Sequence, residues 1–320
     1  MAAIRKLIIG CDGTNNEPEQ LDNGQPAPTN VTKFLNLLHG DRGKQIPFYE
    51  EGVGTRAWEA LPGGMYGYGL DKRILACYRF LRKRFADSDW DRDENKVFLF
   101  GFSRGAYTVR RLAGLIAHSG IPVKSADEEL GWELYKGKDN ASSDKLKKEG
   151  RFFDIPVEMI GVWDTVKATN DDDYHDSQLS QNVASGYHAM AIDEIRKFFP
   201  VLKWDDDVRV LQVWFAGVHS DIGGGYAQSG LSDIALQWMI DRSMEHGLIF
   251  KARVSQDVIP DASGFIHNSY EGKWLLFGEN KRTIPATDLI HYSVKERLEN
   301  ASVGYKPTNM AASPIYWKEA

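Results

Sequence analysis

Apolar and polar positions along the chain fall into two alternating patterns. Predominantly apolar runs of strand length occur at residues 7–9, 97–100, 157–163 and 208–215. Runs of this kind suit strands covered on both faces, which is the usual state of a parallel sheet. Between them, apolar residues recur at steps of three and four. Ile74, Tyr78, Leu81 and Phe85 do so within 70–86, and Leu231, Ile234, Ala235, Trp238 and Met239 do so later, each set giving one apolar stripe on a helix. Residues 104–118 and 183–199 also read as helical. Strands alternating with helices predict an α/β fold built on a mostly parallel, doubly wound sheet flanked by helices. No repeat, low-complexity tract or Pro/Gly/Ser linker interrupts the pattern, so residues 1–320 are expected to form one domain, with 250–320 legible only coarsely.

Composition narrows the function classes. With 42% apolar and 12% aromatic residues among 320, the chain can bury a large core and is not a disordered polymer. Its 39 basic and 45 acidic residues leave a net charge of −6, which argues against a protein built to bind nucleic-acid phosphates. No apolar run reaches the roughly 18–20 residues that span a bilayer. The apolar part of residues 1–10 is too short for a signal peptide and reads as a first strand. A cytoplasmic location, or export by a route that needs no signal peptide, is the expectation. The two cysteines, Cys11 and Cys77, are far apart in sequence, so neither a disulfide framework nor a cysteine zinc site is expected.

The chemistry concentrates where apolar strands end. Gly101-Phe102-Ser103-Arg104-Gly105 fits G-x-S-x-G, directly after the run 97–100 and directly before a helical pattern. That strand–turn–helix setting is the nucleophile elbow, in which a serine on a strained turn needs small neighbours two residues away on each side. A serine needs a base, and the base a carboxylate. The run 157–163 ends at Asp164 and the run 208–215 leads to His219, giving the order serine, acid, histidine. His291 is the competing base. His39, His118, His175, His188, His246 and His267 lie on helix or loop segments without a matching acid and are read as surface or packing residues. The run Cys11-Asp12-Gly13-Thr14 follows the first strand. It lacks the first aspartate of the D-x-D-G-T phosphatase nucleophile, whose place is taken by Gly10. The loop is expected instead to supply an oxyanion-hole N–H near Gly13, with the N–H of Arg104 as the other donor.

Taken together, residues 11–16, 101–106, 161–166 and 217–226 resemble the α/β-hydrolase domain shared with the first class of type VI secretion lipase effectors. Residues 290–294 resemble that family's late motif. The resemblance implies an α/β-hydrolase-like fold and a Ser103–His219–Asp164 esterase, lipase or phospholipase. It implies no cofactor, an acyl-ester or phospholipid substrate, and an immunity or secretion partner. Within the glycine-rich segment 51–69, Trp58 and Tyr66 are expected to line an acyl pocket. Two other classes stay open: a metal-dependent hydrolase using Asp12, Asp164, His219 and Asp221, and an inert binding module on the same fold.

Overall fold

A computed structural model describes residues 4–14, 16–40, 44–52, 69–86, 95–167 and 177–318. Its centre is a sheet of eight strands: β1 (Arg5–Cys11), β2 (Gln45–Glu50), β3 (Asn95–Phe102), β4 (Val157–Trp163), β5 (Val183–Ala191), β6 (Val210–Phe215), β7 (Leu289–His291) and β8 (Ile315–Trp317). Their order across the sheet is β8-β7-β6-β5-β4-β3-β1-β2. Every neighbouring pair is parallel. The chain therefore has the α/β-hydrolase-like, doubly wound architecture expected of it.

The alternation along β1 explains how both faces are covered. Leu7, Ile9 and Cys11 point into a core shared with α2 (Leu70–Phe85) and α3 (Arg104–Ser119). Ile8 points the other way, into a core shared with α1 (Asn30–Leu37) and α7 (Gly230–Glu245). The element numbers between these belong to α4 (Glu128–Lys136), α5 (Asn140–Lys148) and α6 (His219–Gly223). Fully burying each large apolar side chain contributes about 1.5–3 kcal/mol, so helices on both faces are needed to cover strands with apolar residues on both sides. β1 connects outward to β2 and β3 connects to β4 on the other side, so the direction of the connections reverses between β1 and β3. Open parallel sheets bind their ligands at such a point.

One expectation changes. Residues 183–199 read as helical, yet 183–191 form β5. Ala184 is exposed while residues 188–191 are buried without a break, so the small residues Ala184, Gly186, Ala189 and Ala191 show no period that separates strand from helix. A Cβ on Gly186 would lie 3.1 Å from Leu179 Cδ1, so the neighbouring segment packs closely there. The cysteines, distant in sequence, are brought together when α2 packs on β1. Cys11 Sγ and Cys77 Sγ lie 3.5 Å apart as buried free thiols. The contact with Cys77, together with burial, pushes the Cys11 thiol well above its ordinary pKa.

Candidate active site

Ser103 sits between β3 and α3 with φ 58° and ψ −124°, a conformation that L residues rarely adopt. The flanking glycines have a steric cause. A Cβ on Gly101 would fall 2.5 Å from Gly105 O, and a Cβ on Gly105 would fall 2.2 Å from Cys11 O. Glycine at both positions thus lets the first turn of α3 fold back onto the ends of β3 and β1. The Ser103 N–H donates to Trp163 O (3.0 Å), which ties the elbow to the end of β4.

Asp164 follows β4, also at positive φ (41°) and fully buried. Its N–H donates to Ala189 O (2.7 Å), and its Oδ1 accepts from Ala191 N (2.9 Å), so both bonds fasten it to β5. His219 Nδ1 lies 2.5 Å from Asp164 Oδ2. The Arg282 guanidinium donates to both oxygens, at 2.6 and 2.9 Å, and also to the carbonyls of Ala191 and Phe199. Burial alone would raise the Asp164 carboxyl, but the Arg282 charge and the bond from His219 outweigh it and hold the group far below the usual carboxylate range. Burial also lowers His219 below its ordinary value, against the opposing pull of Asp164. A neutral imidazole whose Nδ1–H donates to Asp164 presents Nε2 as a bare acceptor.

The surroundings of His219 fix its plane. Phe102, the residue before Ser103, stacks obliquely at 4.6 Å between ring centres, and Phe199 meets the imidazole edge-on at 5.0 Å. The His219 N–H donates to Glu194 Oε2 (3.2 Å), and Glu194 is clamped in turn by Arg196 and by Ser269 Oγ. Burial raises Glu194, and the bond and charge of Arg196 more than reverse the effect.

Asp12, just past the end of β1, is also buried and has no cationic partner among the described residues. Its Oδ2 accepts from Thr29 Oγ1 (2.6 Å) and Tyr49 OH (3.0 Å), and its Oδ1 accepts from Gly13 N (2.8 Å). Burial pushes it up to about 6, and these donors only moderate the rise. The bond to Asp12 corrects the expectation for Gly13, whose N–H is already committed. Gly13 instead supplies space: a Cβ there would lie 3.0 Å from Ser103 Cβ. Gly52 abuts this turn, its Cβ direction pointing straight into Gly13 O. Trp58 and Tyr66, the expected acyl-pocket residues, lie outside the described residues, as does His175.

The remaining histidines separate cleanly. His291 caps α8 (Tyr292–Glu299), bonds Ser293 through Nδ1 and stacks on Phe215, so it is engaged away from Asp164. Burial pushes it down to about 4. His188 is buried, accepts from Thr165 N (3.1 Å) and is pushed down to about 3 by burial. Two others do have acids, contrary to expectation. His246 Nδ1 lies 3.5 Å from Glu158, and His267 Nδ1 lies 2.6 Å from Asp221 Oδ1. Among the described residues no three His, Cys, Asp or Glu side chains gather as a metal-ligand set. Asp12, Asp164 and Asp221 each serve different partners, so the proposed metal quartet is not assembled.

Sequence reasoning missed Arg282, Glu194 and His267. Glu194 carried a usable signal: had 183–191 been read as a strand, it would have stood just past a strand's carboxyl end. Arg282 lies in Lys281-Arg282-Thr283, a polar stretch without periodicity, and carried none.

A family model described as the catalytic domain of Tle1-like phospholipase effectors of the type VI secretion system matches residues 5–242. An uncharacterised protein of Saccharomyces cerevisiae is 28% identical over 232 residues, covering 62% of this chain and 32% of that protein. The crystal structure of an uncharacterised Pseudomonas aeruginosa protein superposes with a TM-score of 0.53 at 17% identity, covering 81% of this chain and 49% of the other. A Tle1 effector bound to the VgrG spike of a type 6 secretion system gives a TM-score of 0.39 at 18% identity, covering 71% and 52%. The chain thus spans about a third of the yeast relative and about half of each solved relative. The Pseudomonas aeruginosa likeness is one of fold.

Proposed function

The chain belongs to the family of Tle1-like phospholipase-effector catalytic domains, and we propose that it is a serine carboxylic-ester hydrolase. The observation that carries the reading is the 2.5 Å contact of His219 with a buried, arginine-clamped Asp164, on the same sheet edge as a strained serine. Ser103 Oγ attacks the acyl carbonyl carbon while His219 Nε2 takes its proton, and the carbonyl π electrons move onto oxygen. Collapse of the tetrahedral species breaks the ester C–O bond, and His219 returns the proton to the leaving alkoxide. Water, deprotonated by the same imidazole, then releases the acid and restores Ser103. Asp164 holds the tautomer and balances the imidazolium. No hydrogen bond joins Ser103 Oγ to His219 among the described residues. Catalytic contacts commonly tighten only with substrate bound. The N–H of Arg104, first in α3, is one oxyanion donor. With Gly13 N–H engaged, the next N–H of the loop, that of Thr14, is the second.

The substrate proposed is a phospholipid or related acyl ester, as the family's description indicates. A secretion component and an immunity protein are the partners proposed. The test is a screen of p-nitrophenyl esters of varied chain length beside labelled phospholipids, with a fluorophosphonate probe for the nucleophile. Ser103→Ala should abolish both hydrolysis and labelling without unfolding the protein, and His219→Ala should be about as damaging, because triad members act as a unit. Hydrolysis by Ser103→Ala within tenfold of wild type would remove Ser103 as nucleophile.

A further inference from the structure

A second histidine–aspartate pair stands two residues from the base. Asp221 is buried within α6, the short helix that begins at His219. Its Oδ2 accepts from Val218 N (3.0 Å) and from His267 N (3.1 Å), while its Oδ1 meets His267 Nδ1 at 2.6 Å. The Tyr226 ring lies flat on His267, 3.7 Å between centres at 13°, and fixes the plane of the imidazole. Gly217, at φ 120°, gives Asp221 its room, since a Cβ there would fall 2.4 Å from Asp221 Cβ. Both oxygens of Asp221 are therefore spent on joining the base-bearing turn to residue 267.

His267 is not alone on its segment. Two residues on, Ser269 Oγ donates to Glu194, which also accepts from the His219 backbone N–H, and Arg282 from the same stretch clamps Asp164. Residues 267–282 thus touch the base turn, the acceptor of the base's own N–H, and the acid. All three points lie beyond residue 242, where the match to the family's catalytic domain ends.

We infer that residues 267–282 form a positioning strap, with His267 and Asp221 as the pair that aligns His219 on Asp164. The inference rests on the triad reading. His267 acts here through Nδ1 as a hydrogen-bond donor to a carboxylate that also holds two backbone N–H groups. A misplacement of about 1 Å in a catalytic constellation costs on the order of 100-fold in rate, so loss of this link should appear in turnover more than in binding.

The test is a series at position 267, measured on the full chain against a p-nitrophenyl ester that wild type hydrolyses and Ser103→Ala does not. That control establishes the triad reading first, independently of the strap. His267→Ala should lower kcat about 10- to 100-fold with KM within about twofold. The amide of His267→Asn reaches the place of Nδ1 and should restore kcat to within about threefold of wild type. Proton NMR supplies a readout that does not depend on turnover. The downfield resonance of the proton between His219 and Asp164 should shift or broaden in His267→Ala and return in His267→Asn. If His267→Asn is as impaired as His267→Ala while both fold, donation to Asp221 is not what His267 supplies, and the inference fails. It fails equally if His267→Ala leaves kcat and the resonance unchanged. Should His267→Ala not fold, Tyr226→Leu, which removes only the stacked ring, should lower kcat in the same direction, and an unchanged kcat there overturns the strap.

Discussion

Asp12 and Asp164 stand at the ends of two strands of one sheet, both buried, and their carboxyl groups are driven in opposite directions. Asp12 is surrounded by neutral donors and rises to about 6, because hydroxyl and amide dipoles do not repay the loss of water around a charge. Asp164 is buried more completely and still falls far below the ordinary range, because a bidentate guanidinium and an imidazole face it. Depth of burial therefore does not decide which aspartate stays ionised. The formal charge brought to it decides, and that charge comes from Arg282, 118 residues away in sequence.

The largest effect expected from breaking this contrast is on turnover. Asp164→Asn keeps the shape but favours the wrong tautomer of His219, and kcat should drop by up to about four orders of magnitude while the far-ultraviolet circular dichroism stays unchanged. A loss under tenfold would mean that His219 does not depend on Asp164.

Next comes Arg282→Gln. It leaves a buried carboxylate without its cation, and removing one partner of such a pair typically costs about 3–5 kcal/mol, to be read from urea unfolding at pH 7. The pH profile sharpens the point. A carboxyl depressed in the native state contributes stability that is present above its unfolded pKa and is lost as pH falls through the lower native value. Without Arg282 the native value moves up towards the unfolded one, so the stability that Asp164 loses on acidification should be smaller than in wild type. An unchanged acid limb would show that Arg282 does not hold Asp164 ionised.

The smallest effect belongs to Asp12 and has the opposite sign. Native Asp12 keeps its proton up to about pH 6, whereas in the unfolded chain it loses it near 3.8. Between those values the native state binds more protons, so this group's contribution to stability falls as pH rises through the window and is level above it. The shift corresponds to about 3 kcal/mol at most. Asp12→Asn, whose amide can still bond Thr29 and Tyr49, should remove that slope and leave the protein as stable or more stable at pH 7, compared by urea midpoints at pH 4.5 and 7. A slope that persists in Asp12→Asn would assign it to another group.

How much of this was legible follows from how far apart the cooperating residues lie in the chain. The elbow could be read directly, because residues 95–119 carry strand, turn and helix in one stretch and the glycines at 101 and 105 answer to sterics within it, apart from the approach to Cys11. Asp164 and His219 could be placed as residues following strands, since a parallel sheet gathers all carboxyl ends on one edge. β5 reads as a helix because its small residues are mixed with Tyr187, His188 and Met190 in no regular period. Gly13 was read as a donor because the bond its N–H makes to Asp12 has no sequence signature.

By itself, then, the sequence determined the parallel α/β frame, the strained serine and the sheet edge on which Asp164 and His219 meet, because apolar period and local sterics act between neighbours in the chain. Tertiary structure alone decided which buried aspartate stays ionised, which histidine it faces, and that Arg282, Glu194 and His267 support them. Those choices depend on charges and hydrogen bonds between segments tens to more than a hundred residues apart, which only packing of the finished sheet brings into contact.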